Sequence, residues 1–261
     1  MRKNTPELWD SLWKKTSKEQ DIFNLTREEN SIRWQRIEKR ILSKFKGFKN
    51  LRVIEIGAGG GTNALLFAKK GSKVTILDYS KKAIKRSKEF FKRNNCDARF
   101  ILADALDLPE KLNGKYDVAL SFGLAEHFEG KNRIKIVKSH FDLINKGGIA
   151  LISVPNKYNI PYRIHKFVAE SINLWKFGEE YPFSRREFEA IAQKIDVRKK
   201  EFIGDSLFTS FRLINPFLVL KKFFNLKSRI RKEKGTPLDS YLSYSLVFVG
   251  ETNMSTTKGL S

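Results

Sequence analysis

The sequence has a single cysteine and lacks the long apolar runs that membrane-spanning helices need. Cys96 alone cannot form an intrachain disulfide, build a zinc cluster or supply a CxxC redox pair, so we expect a protein of the reducing cytoplasm. No run of about eighteen apolar residues is present, which predicts no transmembrane helix. The opening residues, M-R-K-N-T-P-E-L-W-D, lack the apolar segment of a signal peptide.

Acidic residues are few relative to basic ones. The 261 residues include 51 Lys and Arg against 29 Asp and Glu, which gives a formal net charge of +22. Such an excess suits nucleic acid or an anionic membrane surface. The lysines are spread along the whole chain, however, so an ordinary solvated basic surface is the favoured interpretation. Nucleic acid stays open as a less favoured partner, peripheral membrane contact stays open as well, and no oligomeric state is predicted.

Short apolar segments alternate with helical ones from residue 51 to residue 155. Gly71 and Ser80 supply a helix C-cap and a helix N-cap within this region. We predict strands over 51–56, 73–77, 98–102, 116–121 and 149–154, with helices over 62–70, 80–94 and 133–144. Strands that alternate with helices indicate βαβ units, so we expect a Rossmann-like α/β fold with a doubly wound sheet.

The remaining chain divides into a helical start and a less regular end. Residues 1–48 are predicted to form an N-terminal helical cap, in which Trp9 and Trp13 share one helix face. Residues 49–155 are predicted to form a Rossmann-like core that binds the ligand, and 156–250 to add an insert and the last strands of the same domain. Residues 251–261 are small and polar, which predicts a disordered tail.

Four further elements are predicted within residues 156–250. A capping box, with Ser184 at the N-cap and Glu187 at N3, opens a helix that ends near Ile195. Strands are predicted over 197–203 and 242–249, whereas 156–183 is rich in aromatic residues and has no clear period. Residues 207–234 are apolar and basic, and Phe217–Ile230 has the pattern of a basic amphipathic helix that could lie on an anionic bilayer.

The clearest chemical signal is V-I-E-I-G-A-G-G-G-T over residues 53–62. Gly57 and Gly59 allow a tight turn between a strand and a helix and let a ligand approach the backbone. Asp78 ends the next strand, where its carboxylate can accept hydrogen bonds from ribose hydroxyls. Thr62 stands where a dinucleotide motif needs glycine, and Glu55 would repel a pyrophosphate. The pattern therefore favours a nucleoside ligand that carries an ammonium and a sulfonium group.

On these residues the sequence resembles class I S-adenosylmethionine-dependent methyltransferases, and within them the methyltransferase-11-like group that includes ubiquinone-biosynthesis O-methyltransferases. Five segments carry the resemblance: E-I-G-A-G-G-G at 55–61, L-D-Y-S at 77–80, L-A-D-A at 102–105, S-F-G-L-A-E-H-F at 121–128 and I-N-K-G-G-I-A-L-I-S-V-P-N at 144–156. The resemblance implies a seven-stranded sheet with an antiparallel last strand and S-adenosyl-L-methionine as the cofactor.

The resemblance also implies a set of cofactor-binding residues. Asp104 would hydrogen-bond the adenine amino group, and Phe122 would pack beside the adenine or simply belong to the core. Arg33, in N-S-I-R at 30–33, would reach the cofactor carboxylate, although a solvated helix arginine is the favoured alternative. The full set is Glu55, Gly57, Ala58, Gly59, Asp78, Tyr79, Asp104, Ala105, Phe122 and Arg33.

His127 is the candidate catalytic residue. It follows the fourth predicted strand, near the transferred methyl group, where a neutral imidazole can take a proton from a hydroxyl acceptor. A role in capping the next helix or in contacting the cofactor is the alternative. Some relatives bind a divalent metal through E-x-x-E-H, but Gly123 stands at the first position of that pattern, so we predict no metal.

The expected acceptor is a small molecule, with a lipid-like or quinone-like compound as one candidate. No Asn/Asp-Pro-Pro-Tyr loop follows the fourth strand, where Ser121-Phe122-Gly123-Leu124 stands, and this disfavours amino-methylating nucleic-acid enzymes. An RNA or protein methyltransferase that uses the basic surface is the main alternative. A cofactor-binding module without turnover and a nicotinamide oxidoreductase are less favoured.

Overall fold

The computed structural model describes residues 4–15, 17–214 and 234–251. Three helices come first: α1 (Pro6–Lys15), α2 (Lys18–Glu29) and α3 (Ile32–Phe45). Ser17 and Ser31 are the N-caps of α2 and α3, and each side chain accepts a backbone N–H three residues further on. These hydroxyls satisfy donors that a helix start leaves unpaired. The predicted N-terminal helices are therefore present, and α1 carries Trp9 and Trp13.

The described residues form a seven-stranded sheet in the order β3-β2-β1-β4-β5-β7-β6. Strands β1 to β5 are parallel, while β7 is antiparallel to both β5 and β6. Their bounds are Arg52–Ile56, Lys73–Asp78, Ala98–Leu102, Tyr116–Phe122, Ile144–Pro155, Lys199–Gly204 and Ser245–Glu251 for β1 to β7. The Rossmann-like fold class and the antiparallel last strand are confirmed.

Five longer helices accompany the sheet: α4 (Thr62–Lys69), α5 (Lys81–Arg93), α6 (Gly130–Leu143), α7 (Ile160–Ser171) and α8 (Arg185–Lys194). Alternate strand residues enter different hydrophobic clusters, with Ile54 in one and Val53 in the other. Both faces of the sheet are therefore buried, as expected for parallel strands with crossover helices. The carboxyl ends of β1, β2 and β4 consequently meet at one edge.

The sequence prediction missed α7. Asn159 caps this helix through the Tyr162 N–H, and Pro161 lies in its first turn, so local start signals are present. The solvent side of this helix is mixed, because Ile160, Ile164 and Phe167 are exposed beside Arg163 and His165. Apolar residues on both the buried and the solvent side make the helix hard to distinguish from the aromatic-rich segment around it.

The final strand begins later than predicted. Residues 239–242 form a short helix, so Leu242 precedes β7 instead of starting it. The cause is the buried Asp239 carboxylate, which accepts the backbone N–H groups of Thr236 and Leu207 and pairs with Arg36. These long-range contacts fix a turn that strand propensity alone cannot indicate.

The start of α8 follows only half of the predicted capping box. Ser184 accepts the Glu187 N–H at 3.2 Å, as predicted, but the Glu187 carboxylate binds Arg133 of α6.

The predicted amphipathic helix at Phe217–Ile230 lies outside the described residues. Among the residues described, no helix is both long and apolar enough to cross a membrane.

Candidate active site

A cavity of about 580 Å³ lies at the carboxyl ends of β1, β2 and β4. Parallel α/β sheets bind ligands at this edge, where the loops leave a crevice. Eight of the eleven site residues predicted from the sequence line the cavity: Gly57, Ala58, Asp78, Tyr79, Asp104, Ala105, Phe122 and His127. The other three predicted residues do not line the cavity, and their positions are described in turn below: Glu55, Gly59 and Arg33.

The glycine loop is held in place by the carboxylate of Asp78. Its two oxygens accept the backbone N–H groups of Gly59 and Ser80, both at 2.8 Å. Gly57 and Gly59 have φ angles of 60° and 53°, a left-handed conformation that strongly favours glycine. Burial raises the pKa of Asp78 above its usual value, while the N–H contacts oppose that rise. Asp78 thus joins the ends of β1 and β2 where a nucleoside would bind.

Glu55 lies beneath the glycine loop and caps α4. Gly61 is the N-cap residue of this helix and has no side chain to accept a hydrogen bond. The Glu55 carboxylate replaces it by accepting the Ala64 N–H at 2.8 Å. Burial raises the pKa of Glu55 to about 8. Direct contact between Glu55 and a cofactor ammonium therefore stays a prediction.

The Arg33 side chain is only 16% exposed and makes specific contacts, which argues against the alternative of a solvated helix arginine. Its guanidinium pairs with Glu28, donates to the hydroxyls of Ser153 and Ser245, and lies 5.0 Å from the Phe122 ring centre. Arg33 lines a second cavity of about 250 Å³, which shares Phe122 and Glu126 with the first. This position suits an arginine that binds a carboxylate at one end of a ligand.

Helix α1 covers the glycine loop, and this explains the position of Gly59. A Cβ atom at Gly59 would lie only 2.2 Å from the Trp13 indole. The Asp10 carboxylate binds the Ser80 hydroxyl and accepts the Lys82 N–H at the start of α5. At the other side, the Trp9 ring meets the His127 ring edge-on at 4.9 Å. The helix therefore spans from the glycine loop to the candidate catalytic histidine.

His127 lies in the helical turn Ala125–His127 that follows β4. Its Nδ1 atom is 2.8 Å from the Glu179 carbonyl oxygen. A carbonyl only accepts hydrogen bonds, so Nδ1 carries the proton and Nε2 keeps its lone pair in the neutral ring. Burial lowers the pKa of His127 to about 4, so the ring is neutral at pH 7. This state is the one that can accept a proton.

Two carboxyl groups accompany His127. Among the described residues, Glu126, His127 and Glu180 bring one donor atom each within 4.8 Å of the others. The buried Glu126 Oε2 atom has no hydrogen-bond partner within the described chain, while Glu180 Oε2 accepts the Tyr162 hydroxyl at 2.7 Å. Burial raises the pKa of Glu180 to about 7 and that of Glu126 well above its usual value.

Glu126, His127 and Glu180 are also the residues that could hold a divalent cation. Two carboxylates and an imidazole suit such an ion, and the unpartnered Glu126 oxygen would gain a ligand. The prediction of no metal, which was based on Gly123, stays a prediction. Sequence reasoning missed Glu180 because it lies in the aromatic-rich insert, with no motif around it.

Comparisons with known proteins agree with this site. Residues 53–148 match the family model described as a methyltransferase domain. The chain is 30% identical over 156 residues to a ubiquinone biosynthesis O-methyltransferase of Rickettsia canadensis, covering 60% of this chain and 64% of that protein. It is 29% identical over 180 residues to the Pelagibacter ubique protein of the same name, covering 66% of this chain and 71% of that one.

The fold has counterparts among solved structures. Magnesium protoporphyrin IX methyltransferase from Synechocystis, solved with bound S-adenosylhomocysteine, superposes with a TM-score of 0.56 at 13% identity. The superposition covers 91% of this chain and 89% of that one. The fold, the glycine loop with Asp78 and the matched domain define a Rossmann-like methyltransferase. Residues 53–148 are therefore a methyltransferase domain, and the chain is similar to S-adenosylmethionine-dependent methyltransferases.

We expect Asp78→Ala to weaken binding of S-adenosylhomocysteine by about 1.5–3 kcal/mol, the usual worth of hydrogen bonds to a charged group. The change removes the ribose acceptor and also frees the Gly59 N–H that positions the loop. Titration calorimetry measures the difference. Asp97→Ala, at an exposed position before β3 on the opposite edge, is the matched control and should bind normally. Equal affinity for wild type and Asp78→Ala would refute the assignment.

Proposed function

We propose that the protein transfers the methyl group of S-adenosylmethionine to a hydroxyl group of a small, quinone-like acceptor. The observation that best supports this proposal is a single cavity that extends from Asp78 and Asp104 to His127 and Glu180. Its volume lies within the usual range of about 300–1,000 Å³ for small-molecule sites. A donor and an acceptor can therefore meet in the same cavity.

In the proposed reaction the protein mainly orients two partners. The sulfonium is already activated, and holding it in line with the attacking oxygen can supply roughly 7–11 kcal/mol of the barrier. The oxygen forms a bond to the methyl carbon as the carbon–sulfur bond breaks, and the acceptor proton passes to His127 Nε2. One oxygen each of Glu126 and Glu180 lies within 4.8 Å of a ring nitrogen of His127, so the proposed base and two carboxyl groups share one part of the cavity.

The acceptor half of the cavity is strongly aromatic. Its walls include Trp9, Tyr162, Trp175 and Phe177, which offer large apolar surfaces to a planar ring. Relatives named ubiquinone biosynthesis O-methyltransferases support a hydroxylated, quinone-like acceptor. The position of α1 across the glycine loop favours a small acceptor over an RNA strand or a protein, which remain the alternative acceptors.

We also propose that the protein attaches peripherally to anionic membranes, where a lipid-like acceptor would be found. Helix α7 exposes Ile160, Ile164 and Phe167 and packs against residues 211–214, where Phe211 and Ile214 are exposed too. Exposed cations border this apolar surface at Arg163, Lys176 and Arg212. Apolar side chains flanked by basic ones favour the interface of an anionic bilayer.

His127→Gln should reduce turnover on a hydroxyl acceptor by about 10²–10⁴-fold, the usual contribution of a general base. The cofactor affinity should stay close to that of wild type, because the predicted cofactor contacts are made by other residues. A labelled-methyl transfer assay, run beside calorimetry with S-adenosylhomocysteine, measures both quantities.

The control for His127→Gln is His165→Gln, which changes an exposed histidine of the same cavity. We expect it to change turnover much less. Unchanged turnover in His127→Gln would show that the histidine is structural or that the acceptor needs no base.

The membrane proposal predicts cosedimentation with vesicles of anionic lipid and release as salt is raised, because screening weakens attraction to head groups. Neutral vesicles should retain far less protein. Phe167→Ser should reduce binding by removing an exposed apolar contact, whereas Ile22→Ser, at an exposed position of α2, should not. No sedimentation with anionic vesicles at low salt would end the proposal.

A further inference from the structure

Arg133 is a buried cation on α6 that does not line the active-site cavity. Its guanidinium donates to the backbone carbonyls of Phe128 at 3.1 Å, Tyr181 at 2.8 Å and Pro182 at 3.2 Å. The same group pairs with Glu187 and lies 3.4 Å from the centre of the Phe183 ring. One side chain therefore binds two chain segments that are distant in sequence.

These two segments carry the candidate acid–base groups. Residues 126–128 hold Glu126 and His127, and residues 179–182 hold Glu180 and the Glu179 carbonyl. Direct contacts already link them, since the Tyr181 N–H donates to the Glu126 carbonyl at 2.7 Å and His127 Nδ1 donates to Glu179 at 2.8 Å. Arg133, on α6, binds both segments as well and so adds a third link between them.

The position of the Glu179 carbonyl decides which ring nitrogen of His127 holds the proton. A hydrogen bond from one nitrogen of a neutral imidazole fixes the tautomer. With Nδ1–H bound to Glu179, Nε2 is left as the proton acceptor. If the 179–182 segment shifted away, Nδ1 would lose its partner and the ring could carry its proton on either nitrogen.

We propose that Arg133 is a positioning residue that holds the Glu179 carbonyl against His127 Nδ1 and so keeps Nε2 free to accept a proton. The role in turnover rests on the proposed function of His127 as a base. The effect of Arg133 on the His127 tautomer does not depend on that function, because it is argued only from the hydrogen bonds of Arg133 and His127.

Only an arginine can make this set of contacts. Its planar guanidinium presents five N–H donors in a fixed fork, whereas a lysine ammonium is a compact point charge on a flexible stem. The Glu187 side chain is 33% exposed, so its ion pair is partly screened by water. Arg133→Lys should therefore lose carbonyl contacts that Glu187→Gln retains, and the two variants separate positioning from simple charge pairing.

The test is the tautomer of His127, read from nitrogen-15 spectra of histidine-labelled protein at pH 7. The chain has only three histidines, and the His127→Gln spectrum identifies the signal of interest. We expect wild type and Glu187→Gln to show protonated Nδ1 and unprotonated Nε2. Arg133→Lys and Arg133→Gln should show nitrogen chemical shifts that are averaged between both tautomers. Each spectrum is recorded well below the melting temperature of the variant.

Turnover supplies the second readout. Arg133→Lys should lower kcat by up to about 100-fold, as expected when a reacting group is misplaced by about 1 Å, while affinity for S-adenosylhomocysteine is retained. Glu187→Gln should keep kcat near that of wild type.

A wild-type ring that carries its proton on Nε2, or Arg133 variants that keep the pure Nδ1–H form, would overturn the positioning proposal. Should Arg133→Lys fail to fold, Arg133→Gln gives the same readout, and the wild-type tautomer alone can still refute the idea. Absence of any methyl transfer in wild type with the predicted tautomer pattern would instead refute the proposed function.

Discussion

The hydrogen bonds accepted by the Asp78 carboxylate are the constraint on which the cofactor half of the site depends. They join the glycine loop after β1 to the end of β2, through Gly59 and Ser80. Without them, the left-handed turn at Gly57 and Gly59 would have no fixed relation to the neighbouring strand. The same region also receives α1, because Asp10 binds Ser80 and Trp13 covers Gly59.

The acceptor half is built differently, from segments that come together only in the folded chain. His127 follows β4, whereas Glu179 and Glu180 lie in the insert between β5 and α8, with His127 and Glu179 52 residues apart. Asn4 donates to the carbonyls of both His127 and Glu179, which brings the N-terminal region into the same assembly. The loops and the insert supply specific groups, while the sheet supplies a fixed edge on which they meet.

Much of the fold could be predicted from the sequence because its signals are local. The strands β1 to β5, the Ser80 and Ser184 caps and the glycine loop each follow from neighbouring residues. Other features depend on long-range contacts, which local periodicity does not report. They are the enclosure of Arg33, the turn fixed by Asp239 and the placement of Glu180. Helix α7 was missed for a different reason, since apolar residues lie on both its buried and its exposed side.

The most direct test of the central claim is a calorimetric titration of the wild-type chain with S-adenosylhomocysteine and, separately, with NADH. The Rossmann-like fold would suit either ligand, but Thr62 stands where a dinucleotide motif needs glycine. We predict binding of one S-adenosylhomocysteine per chain and none of NADH. Binding of NADH, with no heat from S-adenosylhomocysteine, would contradict the account.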